Sequence, residues 1–137
     1  MPRVLLIEDD QTMHAMLLQL LRKQGYEVVG APDGEQGLRL FANQSFDLVI
    51  TDIVMPNQEG LGTIRKIRQV NPSLPIIAIS GGGIIGPAQY LDIARKLGVR
   101  HAFAKPFESA PFLDAVRQCL TEKVPGDAPD KPPSSPA

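Results

Sequence analysis

Val4-Leu5-Leu6-Ile7 runs straight into Glu8-Asp9-Asp10, and Leu48-Val49-Ile50 ends on Thr51 and Asp52. If both runs are buried parallel strands, their carboxyl ends bring several carboxylates to one edge of one sheet. Two like unit charges about 4 Å apart repel by roughly 4 kcal/mol at an effective dielectric near 20, so such a cluster calls for a cation. Two further apolar runs end on polar residues. Ile76-Ile77-Ala78-Ile79 stops at Ser80, and the run before Pro106 stops at Lys105. The carboxylates of Glu8, Asp9 and Asp52, with room for water, suit Mg²⁺, a hard cation that favours carboxylates, waters and phosphate oxygens over an all-protein cage. An aspartate beside that metal can attack phosphorus as a nucleophile. The Lys105 ammonium and the Ser80 hydroxyl would then meet the phosphoryl oxygens.

These residues need a sheet to position them. Strand-like runs recur at 3–8, 26–30, 46–51, 75–79 and 101–104, and their continuous hydrophobicity suits parallel strands buried on both faces. Helical spacing lies between them. Met13, Met16, Leu17, Leu20 and Leu21 predict a helix over 11–24 stopped by Gly25. Leu38 and Phe41 mark one over 34–43, and Leu61, Ile64 and Ile67 mark one over 59–70. Tyr90, Ile93, Ala94 and Leu97 precede Gly98, and Phe112, Ala115, Val116, Cys119 and Leu120 form the last apolar stripe. Strands alternating with helices predict a three-layer α/β domain, whose ligands bind beyond the carboxyl ends of the strands. From Val124 onward the Pro- and Ser-rich sequence has no apolar period, so 1–123 is read as one domain and 124–137 as a disordered tail.

Composition narrows the function classes. Fourteen Lys and Arg against fifteen Asp and Glu, a net charge of −1, lack the basic footprint of a nucleic-acid binder, so no direct DNA binding is expected. No run approaches the roughly 18 apolar residues of a membrane span, and Met1-Pro2-Arg3 leads into a strand rather than a signal peptide. The lone Cys119 cannot form an internal disulfide. A cytoplasmic location without membrane contact follows as the expectation.

Four segments together resemble the receiver domain of bacterial response regulators: Val4 to Asp10, Asp47 to Asn57, Ile76 to Ser80, and Ala104-Lys105-Pro106-Phe107. The resemblance covers about residues 3–121. It implies a flavodoxin-like (βα)5 fold with a parallel five-stranded sheet of order 2-1-3-4-5. It also implies that Asp52 accepts a phosphoryl group from a phosphohistidine of a sensor histidine kinase or histidine phosphotransfer protein. Glu8, Asp9, Asp52 and the backbone carbonyl of Val54 would hold Mg²⁺, Ser80 would be the switch hydroxyl and Lys105 would bind the phosphoryl group. The Lys105–Pro106 bond is cis in relatives, and Asp10 takes at most a supporting role. The protein would catalyse only its own phosphorylation and dephosphorylation, and would signal by binding an unknown downstream protein. The alternative is a receiver-like binding module that works without phosphorylation. A haloacid-dehalogenase-type phosphatase would need an acid where Val54 stands, and an FMN carrier would need a phosphate loop where Glu8-Asp9-Asp10 stands.

Departures from the family pattern concern the switch. The usual aromatic three residues before the lysine is Ala102, and the neighbouring Phe103 must point to the other face of the strand. The glycine-rich stretch Gly81-Gly82-Gly83-Ile84-Ile85-Gly86-Pro87 is expected to move on phosphorylation instead. Val54 and Gly82 offer no side chain to orient an attacking water, which predicts slow self-dephosphorylation. Four other groups read more simply. His14 is expected on the solvated side of the first helix, His101 as surface filler, Cys119 as packing, and Arg65-Lys66-Arg68 as the wet face of the third helix.

Overall fold

The computed structural model describes residues 1–53, 59–80, 92, 95–105 and 107–122. Apolar runs become strands β1 (Arg3–Ile7), β2 (Glu27–Ala31), β3 (Leu48–Asp52), β4 (Ile76–Ser80) and β5 (His101–Ala104). All neighbours pair in parallel, in the order β2-β1-β3-β4-β5. The expected fold class and strand order are therefore what the chain adopts. Helices α1 (Gln11–Lys23), α2 (Gly34–Asn43), α3 (Glu59–Val70) and α4 (Ser109–Glu122) flank the sheet.

Alternation along each strand divides the apolar side chains between two cores. Leu5, Ile7, Val49, Ile76 and Ala78 face Ile64 and Ile67 of α3, with Leu38 and Phe41 of α2 packed alongside. Val4, Leu6, Leu48, Ile50, Ile77 and Ile79 face Leu17 and Leu21 of α1 and Phe112, Val116 and Cys119 of α4. Full burial of each large side chain contributes about 1.5–3 kcal/mol, which is why the strands could be read from unbroken hydrophobicity. Cys119 is wholly buried, as a packing residue should be.

Local signals set the helix ends. Asp10 is the N-cap of α1, its Oδ1 accepting from the Thr12 and Met13 amides at 3.0 and 3.3 Å. Gly25 follows the helix with φ +92°, the left-handed region that stops helices at glycine. The apolar face of α1 is narrower than its spacing suggests: Leu17 and Leu21 are fully buried, whereas Met16 is 48% exposed.

Arg68 departs from the expected solvated face of α3. Arg65 and Lys66 are exposed, but Arg68 is half-buried and bonds four carbonyls. Its guanidinium donates to Leu74 O (2.6 Å), Asn71 O (3.3 Å), Leu97 O (3.2 Å) and Gly98 O (2.7 Å). The planar five-donor fork can serve carbonyls from several segments at once, and here it ties the end of α3 to the approach to β5. The expected domain end at 123, the tail 124–137, the glycine-rich stretch and most of the helix before Gly98 lie outside the described residues.

Candidate functional site

Register brings the acids together. Ile7 pairs with Thr51, so Glu8 and Asp52 follow at the same sheet edge, and Glu8 N–H still donates to Ala31 O at 3.1 Å. Asp52 and Ser80 close β3 and β4, and Lys105 follows β5 with its amide donating to Ser80 O at 2.7 Å. The apolar core of each strand gives way to polar residues at this edge, which is how one sequence feature places four residues at one site.

Glu8, Asp9 and Asp52 each offer a carboxylate oxygen within 4.8 Å of the others. Glu8 and Asp52 are buried, at 1% and 3% exposure, while Asp9 is exposed. The Lys105 ammonium bridges the buried pair. Its Nζ donates to Asp52 Oδ2 at 2.9 Å and stands 3.0 Å from Glu8 Oε1, at ion-pair distance but off the hydrogen-bonding direction. Glu8 Oε1 therefore keeps an unfilled acceptor position among the described residues, while Oε2 accepts from the Asp10 amide at 3.0 Å. Ser80 Oγ is fully buried and likewise has no hydrogen-bond partner among the described residues. A buried hydroxyl without a partner is costly, and here it stands at the edge where the acids gather.

Burial, reinforced by the Asp52 charge, pushes Glu8 up to about 7, against the pull of the Asp10 amide and of Lys105. For Lys105, burial works toward a lower pKa, but its contacts with Asp52 and Glu8 outweigh it and hold the ammonium above the ordinary lysine value. The protein's own groups thus leave the site short of positive charge. Three hard oxygen donors, one of them open to water, fit a divalent cation such as Mg²⁺.

Glu8, Asp9, Asp52, Ser80 and Lys105 lie together as the sequence implies, and Val54 lies outside the described residues. Asp10 caps α1 and lends its amide to Glu8. Its position just before a helical run was the signal for this role. His14 is the residue sequence reasoning misplaced. It is half-buried, with Nδ1 2.9 Å from Glu8 O, and it lines a cavity of about 280 Å³ beside the acids together with Gln11, Leu18 and Pro32. The helical stripe alone could not reveal this, because the partner is a strand-end carbonyl. Ala102 and Phe103 face opposite sides of the sheet, Ala102 toward the α2–α3 core and Phe103 toward the α1–α4 core. Phe103 packs 5.6 Å from Phe107 and 5.7 Å from Phe112, centroid to centroid.

Residues 4–117 match the family model described as the response regulator receiver domain. The chain belongs to that family. The receiver domain is 32% identical over 130 residues to the response regulator protein FleR of Pseudomonas aeruginosa, covering 95% of this chain and 27% of FleR. It is also 32% identical over 122 residues to the transcriptional regulatory protein CpxR of Escherichia coli, covering 88% of this chain and 50% of CpxR. The chain thus spans half or less of the length of these curated relatives. A receiver domain protein from Clostridium thermocellum superposes with a TM-score of 0.82 at 29% identity, covering 90% of this chain and 97% of that one. TrrA of Thermotoga maritima, in complex with Mg²⁺–BeF, superposes at 0.76 with 28% identity, covering 88% of this chain and all (100%) of TrrA. No helix among the described residues is long and apolar enough to cross a membrane.

Proposed function

We propose that this receiver domain is a phosphoacceptor of a two-component phosphorelay, taking a phosphoryl group onto Asp52 from a histidine kinase or histidine phosphotransfer protein. The observation that carries the proposal is the Lys105 ammonium held between the buried carboxylates of Asp52 and Glu8, 2.9 and 3.0 Å away. An Asp52 oxygen attacks phosphorus, the donor's P–N bond breaks, the imidazole leaves and an acyl phosphate forms on Asp52. Lys105 would follow the charge from the carboxylate onto the phosphoryl oxygens. Ser80 Oγ, buried and without a partner among the described residues, would donate to one of them.

Mg²⁺ would be held by Glu8, Asp9 and Asp52, with the Val54 carbonyl as a further ligand, in keeping with the metal carried by TrrA. Bound there, it supplies the positive charge that the site lacks. The protein turns over no separate substrate, since the chemistry ends on its own side chain. It works in the cytoplasm beside its kinase and signals by binding another protein when phosphorylated.

Incubation with Mg²⁺ and acetyl phosphate, followed by intact mass, tests this. Wild type gains one phosphoryl group and Asp52→Ala gains none. No gain in wild type, or an equal gain in Asp52→Ala, would favour a phosphorylation-independent binding module.

A further inference from the structure

His14 and Gly30 form a matched pair beside the acids, and neither belongs to the five residues assigned chemistry above. The carbonyl of Glu8 can only accept, so the 2.9 Å contact makes His14 Nδ1 the protonated nitrogen. The His14 amide also donates to Asp10 O at 2.8 Å. One residue of α1 therefore grips both ends of the three-residue turn Glu8-Asp9-Asp10.

The ring sits where it does because β2 carries a glycine opposite. Gly30 pairs in register with Leu6, inside a strand, where glycine gives up both packing and backbone entropy. A Cβ built on Gly30 would come 2.4 Å from His14 Nε2 and 3.0 Å from Cε1. Any larger residue there would displace the imidazole, so the glycine makes room for the ring. The Leu18 side chain also borders the position, with Cδ2 3.5 Å from the same point.

We infer that His14 is a positioning residue for the metal site: its Nδ1–H fixes the Glu8 peptide, and through it the spacing of the Glu8 and Asp9 carboxylates. This inference rests on the Mg²⁺ site proposed above. Removing an outer hydrogen bond that orients metal ligands typically weakens metal binding 10- to 100-fold. The effect here runs through a backbone carbonyl, so the expected loss is about 10-fold.

The test is the affinity for Mg²⁺ alone on the unphosphorylated chain, measured by calorimetry and by the metal-dependent rise in the urea midpoint. His14→Ala binds Mg²⁺ about 10-fold more weakly than wild type. His14→Asn, whose amide nitrogen lies near the place of Nδ1, restores binding. His14→Gln, whose nitrogen lies near the place of Nε2, does not. A role in packing alone would let Gln serve at least as well as Asn. Gly30→Ala weakens Mg²⁺ binding in the wild-type background and adds nothing in the His14→Ala background, because the clash then has no ring to act on. The midpoint in EDTA reports folding separately for every variant. Equal Mg²⁺ affinity in wild type and His14→Ala, or equal rescue by Asn and Gln, overturns the positioning role while leaving the metal site standing. No Mg²⁺ binding by wild type overturns both.

Discussion

Lys105→Met keeps the aliphatic stem and removes the charge between Asp52 and Glu8, and its cost should depend on pH in a defined way. The ammonium stands 3.0 Å from Glu8 Oε1. At an effective dielectric near 20 that attraction is about 5 kcal/mol, an upper bound because Lys105 keeps some solvent contact. Its loss carries Glu8, already pushed up to about 7 by burial and Asp52, further in the same direction, so that the carboxyl stays protonated at pH 8.5. At pH 5.5 Glu8 is protonated in both proteins and contributes no difference. At pH 8.5 wild type ionises Glu8 in the folded state, which stabilises it by about 2 kcal/mol relative to the neutral form; the variant does not. The Asp52 hydrogen bond is lost at both pH values and cancels in the comparison. Urea denaturation in EDTA at the two pH values measures the increment, expected at about 2 kcal/mol, or roughly 4–8 °C in melting temperature. The same stability loss at pH 5.5 and 8.5 would refute the coupling between Lys105 and Glu8.

Three further outcomes follow, the first two from the structure and the third from the sequence. Glu8 has a folded pKa raised from 4.5 to about 7, so its contribution to stability is fully present below about pH 4.5 and is lost as pH rises to 7. The loss in metal-free wild type is about 3 kcal/mol; a urea-midpoint profile that Glu8→Gln leaves unchanged over that window would contradict it. Arg68→Ala removes the guanidinium's bonds to the carbonyls of Asn71, Leu74, Leu97 and Gly98. At about 1 kcal/mol for each bond, reduced where water can enter, the cost is about 2–4 kcal/mol by urea denaturation, and a loss under 1 kcal/mol would show that the fork ties nothing together. Val54 and Gly82 carry no group to orient water, so the phosphorylated protein should decay over minutes or longer, whereas disappearance within seconds in a mass time course would contradict this.

The fold was legible because each strand is apolar on both faces, and a period-free apolar run that stops on a polar residue marks a buried strand's end. Glu8, Asp52, Ser80 and Lys105 were found by that rule alone, since the sheet edge gathers whatever residue terminates each run. His14 was not legible because its two partners, the Glu8 carbonyl and the space over Gly30, come from different strands and only tertiary packing brings them near α1. Arg68 was hidden for a similar reason, as its four acceptors are backbone atoms that no side-chain pattern announces. Met16 fits the helical spacing yet is 48% exposed, because an apolar stripe fixes a direction but not the width of the surface that covers it. Asp10, read only as a supporting acid, could have been placed, because an aspartate just before a helical run is a cap.

The most direct measurement is the identity of the phosphorylated residue. Protein treated with Mg²⁺ and acetyl phosphate is reduced with borohydride, which converts the acyl phosphate of an aspartate to the alcohol of homoserine, and the peptides are then mapped by mass. The predicted result is homoserine at position 52, formed only when Mg²⁺ is present and lost when EDTA replaces it. Reduction at Glu8 or Asp9, or no reduced residue at all, would contradict Asp52 as the phosphoacceptor.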